Sequence, residues 1–270
     1  MGHCPQLTDL ARVAPASFNQ KVSDLKCIQS NNNLTINTMQ FSSIVEDYFK
    51  GEFVINSTAL RQKFRTIKAF VFDWDGVFNN GQKNIDGHST FSEVDSMGIN
   101  LIRFNHHLLN KKIPISAIIS GENNQLAFSY ARRENFNSIY YKVAHKEKAI
   151  LHLCKQHNIS PAEVMFVFDD VLDLSVARLV GVRMMVNRDA NPLLIEYAKN
   201  NRLVDYVTYF DGSNNALREL SEMIMVMTNN YETTIDHRIK FSEPYQAYLN
   251  IKNQIPTLSY TLLDNEITQA

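Results

Sequence analysis

An apolar run that ends in two carboxylates and a glycine constrains the fold of this chain more than any other feature. Residues 67–72 are mostly apolar, Asp73 and Asp75 follow at the spacing i, i+2, and Gly76 comes next. An apolar run without alternation is typical of a strand buried on both faces of a parallel sheet that is covered by helices. Ligand sites in such sheets lie at the carboxyl ends of the strands. The two acids are therefore predicted to lie in a site.

The two acids also limit the chemistry of that site. Two unpaired carboxylates repel each other, so a cation or a shared proton is expected between them. Carboxylate oxygens suit the hard cation Mg²⁺, and Asp73 could then act as a nucleophile. Gly76 would let the chain turn sharply after the strand. An ordinary Asp-rich turn is the alternative interpretation, and the rest of the chain must decide between them.

Composition predicts one sizeable α/β core with appendages. The 270 residues are 44% hydrophobic and 20% charged, and the net charge is −1 without a basic stripe, which predicts a small-molecule partner rather than nucleic acid or a membrane. The cysteines Cys4, Cys27 and Cys154 are odd in number and widely spaced, which argues against a disulfide framework and favours a reducing compartment. No apolar run reaches the roughly 18 residues of a membrane span. We expect a cytoplasmic protein.

The order of predicted elements indicates a doubly wound, mostly parallel sheet with helices on both faces. We expect an N-terminal, partly helical extension at 1–65, a core at 66–228 and a C-terminal extension at 229–270. Strands are predicted at 67–72, 113–119, 139–141, 164–168, 182–186 and 206–209, and helices at 98–110, 126–131, 146–157, 215–227 and from Pro192.

Smaller signals add three expectations. Asp86-Gly87 predicts the turn of a β-hairpin over 81–94, which would overhang the site. Apolar residues at helical spacing in 41–49, and a short helix at 60–64, are predicted to pack on the core. Aromatic residues near the C-terminus are predicted to pack on the core or on another subunit: Tyr231, Phe241, Tyr245, Tyr248 and Tyr260.

Chemistry-bearing side chains recur at the ends of three predicted strands and at the start of one helix. They are Asp73 with Asp75, Ser120, Asp169 with Asp170, and Lys146. This set is sufficient for phosphoryl transfer. Mg²⁺ held by Asp73, Asp169 and a backbone carbonyl would offset the repulsion between the nucleophile and a phosphate. Ser120 and Lys146 would bind the remaining phosphate oxygens, and Asp75 could exchange protons with the leaving alcohol and with water.

The sequence resembles the haloacid dehalogenase-like phosphatase superfamily in four motifs and in their order. The motifs are Phe72-Asp73-Trp74-Asp75-Gly76, Ile118-Ile119-Ser120-Gly121, Lys146, and Asp169-Asp170-Val171-Leu172-Asp173. The resemblance implies a Mg²⁺-dependent phosphomonoester hydrolase that works through an aspartyl-phosphate.

The same resemblance assigns roles to the motif residues. Asp73 would be the nucleophile, and Asp75 the acid/base that also gives its main-chain carbonyl to the metal. Asp169 would complete the metal ligands of the protein. The phosphate would be bound by Ser120, Gly121 and Lys146, and the metal shell or the lysine would be supported by Asp170 and Asp173.

Within the superfamily the chain looks like the capless group that contains 3-deoxy-manno-octulosonate 8-phosphate and nonulosonate 9-phosphate phosphatases. That group implies a small sugar-acid phosphate as substrate and a homotetramer with a β-hairpin flap. Asp95 and Ser96, together with Glu122 after the motif-two glycine, look more like the nonulosonate enzymes, which makes these three residues candidates for substrate specificity. Phe168 stands where the family usually has glycine; we expect it to fill core space, with a narrowed pocket as the alternative.

Two other functions stay open at this stage. One is a catalytically silent regulatory or interaction subunit, against which the crowded carboxylates argue because a silent module has no physical need for them. The other is phosphotransfer to an acceptor other than water, which analysis of the products would separate from hydrolysis.

Overall fold

The strand that delivers the two acids lies in the middle of the sheet. In the computed structural model, which describes residues 45–270, β2 (Ala69–Asp73) pairs in parallel with β3 (Ile115–Ile119) and β5 (Val164–Phe168). Phe70 and Phe72 pack into the cluster on one face, and Ala69 and Val71 pack into the cluster on the other. Both faces of β2 are therefore buried, which explains the lack of alternation in its sequence.

The described residues form one sheet of nine strands in the order β1-β7-β6-β5-β2-β3-β4-β8-β9. Pairing is parallel except at the two edges, where β1 with β7 and β8 with β9 are antiparallel. The remaining strands are β1 (Glu52–Phe53), β4 (Ser138–Tyr141), β6 (Val182–Met185), β7 (Tyr206–Val207), β8 (Leu258–Leu263) and β9 (Glu266–Gln269).

Helices cover both faces of this sheet, so the predicted α/β architecture is confirmed. They are α1 (Ser57–Phe64), α2 (Glu93–Asn110), α3 (Gln125–Arg133), α4 (Lys146–His157), α5 (Leu174–Ala177), α6 (Pro192–Asn200), α7 (Ala216–Met227), α8 (Tyr231–Ile239) and α9 (Glu243–Lys252). One cluster packs beneath α1, α2, α3 and α7, and the other beneath α4, α5 and α6. Phe168 is buried in the second cluster, where it stacks on Phe166 at 5.6 Å between ring centroids, so its predicted core-filling role is confirmed.

Helix α2 begins five residues before its predicted start at Gly98. Glycine is a poor helix former, so the local pattern does not predict it inside a helix. A Cβ at this position would lie 2.9 Å from Ser221 Oγ and 3.1 Å from the Cα of Arg218. Gly98 therefore allows close contact between α2 and α7.

The β-hairpin predicted over 81–94 is not formed as a pair of strands. Within the described residues 77–92 the chain reverses at 84–88, where Asn84 N donates to His88 O at 2.8 Å, but no strand pairing occurs. Instead Asn84 Oδ1 accepts from the backbone N–H groups of Asp86 and His88 at 3.0 and 2.9 Å. Such side-chain bonds offer the backbone an alternative to a strand ladder. We call residues 77–92 the flap loop.

The segments that flank the predicted core join the same structure. Residues 45–48 are helical, and Val45 and Phe49 are buried in the core as expected, whereas Phe41 and Ile44 lie outside the described residues. The predicted short helix corresponds to α1. Of the C-terminal aromatic residues, four are buried or partly buried and confirm the predicted packing, and Phe241 is half exposed with its ring edge against Tyr245. Among residues 45–270, no helix is long and apolar enough to cross a bilayer.

Candidate functional site

A buried lysine lies between two carboxylates at the carboxyl edge of the sheet. Asp73 ends β2, and Lys146 is the first residue of α4. Lys146 Nζ donates to Asp73 Oδ1 at 2.7 Å and to Asp173 Oδ1 at 2.6 Å. All three side chains are less than a tenth exposed. The ammonium therefore holds two mutually repelling acids in place.

Burial dominates the protonation behaviour of these groups. It raises the pKa of the Asp73 carboxyl to about 7 against the opposing charge of Lys146, and it also raises the pKa of Asp173. Burial alone would lower the pKa of the Lys146 ammonium, but the charges of Asp73 and Asp173 more than offset this effect and raise it. The lysine therefore stays charged.

A third buried carboxylate joins the pair. Asp169 directly follows β5, and one oxygen each of Asp73, Asp169 and Asp173 lie within 4.8 Å of one another. Lys146 and Arg188 neutralise only part of this charge. Clustered carboxylate oxygens fit a hard divalent cation such as Mg²⁺. Because Asp173 is engaged by Lys146, Asp73 and Asp169 are the two acids of the cluster that could hold the metal.

Gly76 is required for the close approach of the motif-one turn to Asp169. The glycine has φ +87°, and a Cβ there would lie 2.0 Å from Asp169 Oδ2. Only glycine adopts this backbone conformation readily and leaves the space free. The sharp turn expected from the sequence is therefore present.

Sequence analysis missed Arg188, which contacts the site directly. Its Nη2 donates to Asp169 Oδ2 at 2.5 Å, and its side chain is 34% exposed while that of Asp169 is 4% exposed. Burial raises the pKa of the Asp169 carboxyl to about 7, assisted by the charge of Asp73 and opposed by Arg188. Arg188 follows β6 by three residues, so the strand-end rule could have identified it.

Replacing Arg188 with glutamine should tighten Mg²⁺ binding to the metal-free protein by about threefold to tenfold. The guanidinium repels a cation and occupies Asp169 Oδ2, so its removal favours the metal on both counts. Titration calorimetry would measure the dissociation constant. Arg178→Gln is the matched control, because Arg178 is exposed and has no described side-chain contact. Unchanged or weaker Mg²⁺ binding in Arg188→Gln would contradict this competition.

Asp75 faces the flap loop and is more exposed than the cluster. Its Oδ2 accepts from Lys83 Nζ at 3.1 Å, and its Oδ1 accepts from Ser89 Oγ. The side chain is 25% exposed. A carboxylate held in this way, two residues after the buried Asp73, is open to solvent.

The second motif lies beside the first. Ile119 pairs with Asp73 in the sheet, so Ser120 comes next to the acidic turn. Its Oγ accepts from Glu122 N at 3.1 Å and keeps its proton for another acceptor. Gly121 and Glu122 are exposed, with nothing near the position of a Gly121 Cβ. The structure thus brings Ser120, Gly121 and Glu122 to the mouth of the site.

Asp170 has a local structural contact. Its Oδ1 accepts from Val171 N at 2.7 Å, and Asp173 Oδ2 accepts from Asp170 N at 3.4 Å. Together they cap the 3₁₀ turn Val171–Asp173. Asp170 is exposed and supports the turn that positions Asp173.

The structure does not place Asp95 and Ser96 where a substrate could touch them. Both are buried in the first turn of α2. Asp95 Oδ1 accepts from Arg218 N at 2.8 Å and so caps α7, which has no cap from its own Asn215. Ser96 Oγ accepts from Arg133. The contacts of these two residues with Arg218 and Arg133 are helix-packing contacts and give no support to the specificity role predicted for them.

Asp95 should make the protein less stable as pH rises. Burial raises its pKa to about 7, although the N–H groups of Arg218 and Leu217 oppose the shift. The folded state therefore retains a proton that the unfolded chain loses near pH 4, and stability falls between about pH 4 and pH 7. Asp95→Asn keeps the cap. The free energy of unfolding of this variant, relative to that of the parent, should be about 2 to 4 kcal/mol higher at pH 8 than at pH 4. Urea unfolding at both pH values would measure this, and an equal difference at both would contradict it.

The fold and the four motif positions resemble those of haloacid dehalogenase-like phosphatases. A mostly parallel sheet places the motif-one acid, the motif-two serine, the lysine and the motif-four acid at one edge. Between the first two motifs the chain contains only the flap loop and α2, so no cap domain is inserted there.

Known proteins resemble about two thirds of this chain. No family model matches the chain. The chain is 29% identical over 174 residues to 3-deoxy-D-manno-octulosonate 8-phosphate phosphatase of Salmonella typhi. The match covers 63% of this chain and 85% of that protein. The structure of the Moraxella catarrhalis enzyme with magnesium, phosphate and 3-deoxy-D-manno-octulosonate (KDO) is similar with a TM-score of 0.55 and 25% identity, over 68% of this chain and 98% of that one. The structure of the cobalt-bound Haemophilus influenzae enzyme is similar with a TM-score of 0.53 and 26% identity, over 64% of this chain and 95% of that one.

Proposed function

We propose that this protein hydrolyses the phosphate ester of a small sugar acid, of the octulosonate 8-phosphate or nonulosonate 9-phosphate type. The observation that carries the proposal is the buried lysine that bridges Asp73 and Asp173, with Asp169 within 4.8 Å. This is the charge arrangement that a phosphate ester and a cation require. The names of the relatives support the sugar-acid class.

In the first step Asp73 attacks the phosphorus atom. The bond from phosphorus to the ester oxygen breaks, and the leaving alkoxide takes a proton from Asp75. Lys146 and Ser120 bind phosphoryl oxygens as negative charge develops on them. When held by Asp73, Asp169 and the main-chain carbonyl of Asp75, Mg²⁺ would offset the repulsion between the carboxylate and the phosphate. The product is an alcohol and an aspartyl-phosphate on Asp73.

In the second step water hydrolyses the aspartyl-phosphate. Asp75, now ionised, removes a proton from the water while its oxygen bonds to phosphorus. The bond between phosphorus and the Asp73 oxygen breaks, and its electron pair restores the carboxylate. Inorganic phosphate leaves, and Asp75 again carries the proton for the next ester. Its 25% exposure gives water access to this carboxylate.

Glu122 is the remaining candidate for substrate specificity. It is exposed two residues after Ser120, at the mouth of the site. A carboxylate there would accept hydrogen bonds from sugar hydroxyls and would repel an acidic group of the substrate. Glu122 therefore favours binding through the hydroxyl-bearing part of the sugar.

Phosphate release from a panel of monoesters tests the proposal. Sugar-acid, neutral-sugar and nucleotide phosphates would be compared with Mg²⁺ and with a chelator. Metal-dependent release from an octulosonate or nonulosonate phosphate supports the proposed activity and identifies the substrate. Release only when a second alcohol is present would indicate phosphotransfer. No release from any ester by folded, metal-bound protein would favour a silent interaction subunit.

We also propose a division of the chain, an oligomeric state and a cellular location that accompany this activity. The region 66–228 would form the phosphatase core, with 1–65 and 229–270 as extensions, because the relatives match only about two thirds of the chain. Resemblance supports a homotetramer, for which light scattering should give four times the chain mass of 31.0 kDa. Cytoplasmic location is supported by the cysteine usage, including Cys154, which is unpaired.

A further inference from the structure

A buried serine in the flap loop connects the first two motifs. Ser89 is 1% exposed. Its Oγ accepts from Trp74 Nε1 at 3.0 Å and from Asn124 Nδ2 at 2.8 Å, and it contacts Asp75 Oδ1. Trp74 and Asp75 belong to motif one, and Asn124 lies four residues after Ser120. The hydroxyl is therefore the meeting point of three separate segments.

The direction of each hydrogen bond at Ser89 is determined by its partners. An indole N–H can only donate. The amide of Asn124 is oriented because its Oδ1 accepts from Leu126 N at 2.9 Å as the N-cap of α3, which directs its NH₂ group toward Ser89. These two donors occupy both lone pairs of the hydroxyl. The single proton of Ser89 must therefore be donated to Asp75 Oδ1.

We propose that Ser89 is a positioning residue that fixes the carboxylate of Asp75 for proton transfer. The inference rests on the proposed function, in which Asp75 is the acid/base. Ser89 cannot rotate its proton elsewhere without breaking a buried bond to Trp74 or Asn124. It therefore holds Oδ1 and leaves Oδ2, which accepts from the partly exposed Lys83, as the oxygen that exchanges protons.

The geometry also explains why a flexible acid would be inadequate here. Asp75 is 25% exposed and lies next to a long surface loop, so without an anchor its side chain could turn toward solvent. Misplacement of a catalytic group by about 1 Å can cost about 100-fold in rate. Ser89 provides this anchor, and Ser89 is itself held by Asn124, which is 1% exposed and caps a core helix.

The single tryptophan of the chain provides a test that does not depend on activity. Trp74 gives the one indole N–H signal of a ¹⁵N-labelled sample. Ser89→Ala should move this signal because the acceptor is lost, and Asp75→Ala should move it because the Ser89 proton is released. Ser116→Ala is the control, since Ser116 in β3 is also buried and donates to Pro114 O. An indole signal that Asp75→Ala leaves in place would overturn the connection.

Two esters then separate positioning from general damage. A nitrophenolate needs no proton to leave, whereas a sugar alkoxide does. Ser89→Ala should slow first-turnover cleavage of the sugar-acid phosphate by about 10-fold to 100-fold and change first-turnover nitrophenolate release by less than about threefold. Ser89→Thr restores the hydroxyl and should recover most of the lost rate. Equal slowing on both esters, or parent rates on the sugar ester, would overturn the proposal.

Failure of the proposed function has a different signature. If the parent protein cleaves neither ester, the assignment of a phosphatase activity fails first, whatever the variants do. The indole signal then still decides whether Ser89 connects Asp75 to Trp74. If the parent cleaves both esters and only the Ser89 comparison fails, the proposed function stands and the positioning role is wrong.

Discussion

Asp73→Asn should reduce turnover by about 10⁴-fold or more, because an amide oxygen is a poor nucleophile and cannot form the aspartyl-phosphate. The fold should persist, since the change removes one of three crowded carboxylates and leaves Lys146 paired with Asp173. Steady-state phosphate release and urea unfolding would be measured on the same preparation. We expect the variant to unfold at the same or a higher urea concentration than the parent.

Asp86→Asn is the matched control for this variant. It makes the same chemical change at an exposed position in the flap loop. It should keep both the activity and the stability of the parent. Turnover by Asp73→Asn close to that of the control would rule out Asp73 as the nucleophile and would require another acceptor for the phosphoryl group.

Lys146→Met should cause the largest combined loss of stability and activity. The substitution leaves Asp73 and Asp173 buried without the cation that both contact at less than 3 Å. Removing one partner of a buried ion pair typically costs about 3 to 5 kcal/mol of unfolding free energy. Loss of a charged phosphate ligand should also lower turnover by about 100-fold or more. Urea unfolding and turnover at saturating Mg²⁺ would measure the two effects.

A second substitution separates the two losses. The double variant Lys146→Met with Asp173→Asn removes one of the two carboxylates that are left buried without a cation. It should recover much of the stability without recovering turnover. Lys252→Met is the matched control, because Lys252 lies at the end of the distant helix α9 and is also buried. Its Nζ contacts one carboxylate, that of Glu134, at 3.4 Å. It should lose stability but keep turnover per folded site. Recovery of activity in the double variant would contradict the phosphate-binding role of Lys146.

The parts of the fold that the sequence could predict are those determined by local pattern. Apolar runs located β2, β3 and β5, and the limits of helix 146–157 match α4. Because parallel strands end at a common edge, the strand-end rule also predicts that Asp73, Ser120 and Asp169 lie close together. Burial of these groups followed from the same topology.

The features that sequence analysis missed depend on contacts between distant segments. Arg188 contacts Asp169 only because the turn after β6 reaches the end of β5. Asp95 matched a specificity motif, yet it caps a helix 123 positions away. Ser89 carries no local signal, since a serine in a polar loop is ordinary and its partners come from two other segments. Periodicity contains no information about such pairs.

The continuation of the sheet beyond β4 limits how the chain can be shortened. β8 pairs with the whole length of β4, from Ser138 with Leu258 to Tyr141 with Thr261. The ring of Tyr260 stacks on that of Tyr140 with 5.1 Å between the ring centroids. Cutting the chain at 228, where the proposed core ends, would turn β4 into an open edge with a bare aromatic ring and unpaired backbone groups. Such edges recruit strands from other molecules, so the shortened protein would be prone to aggregate.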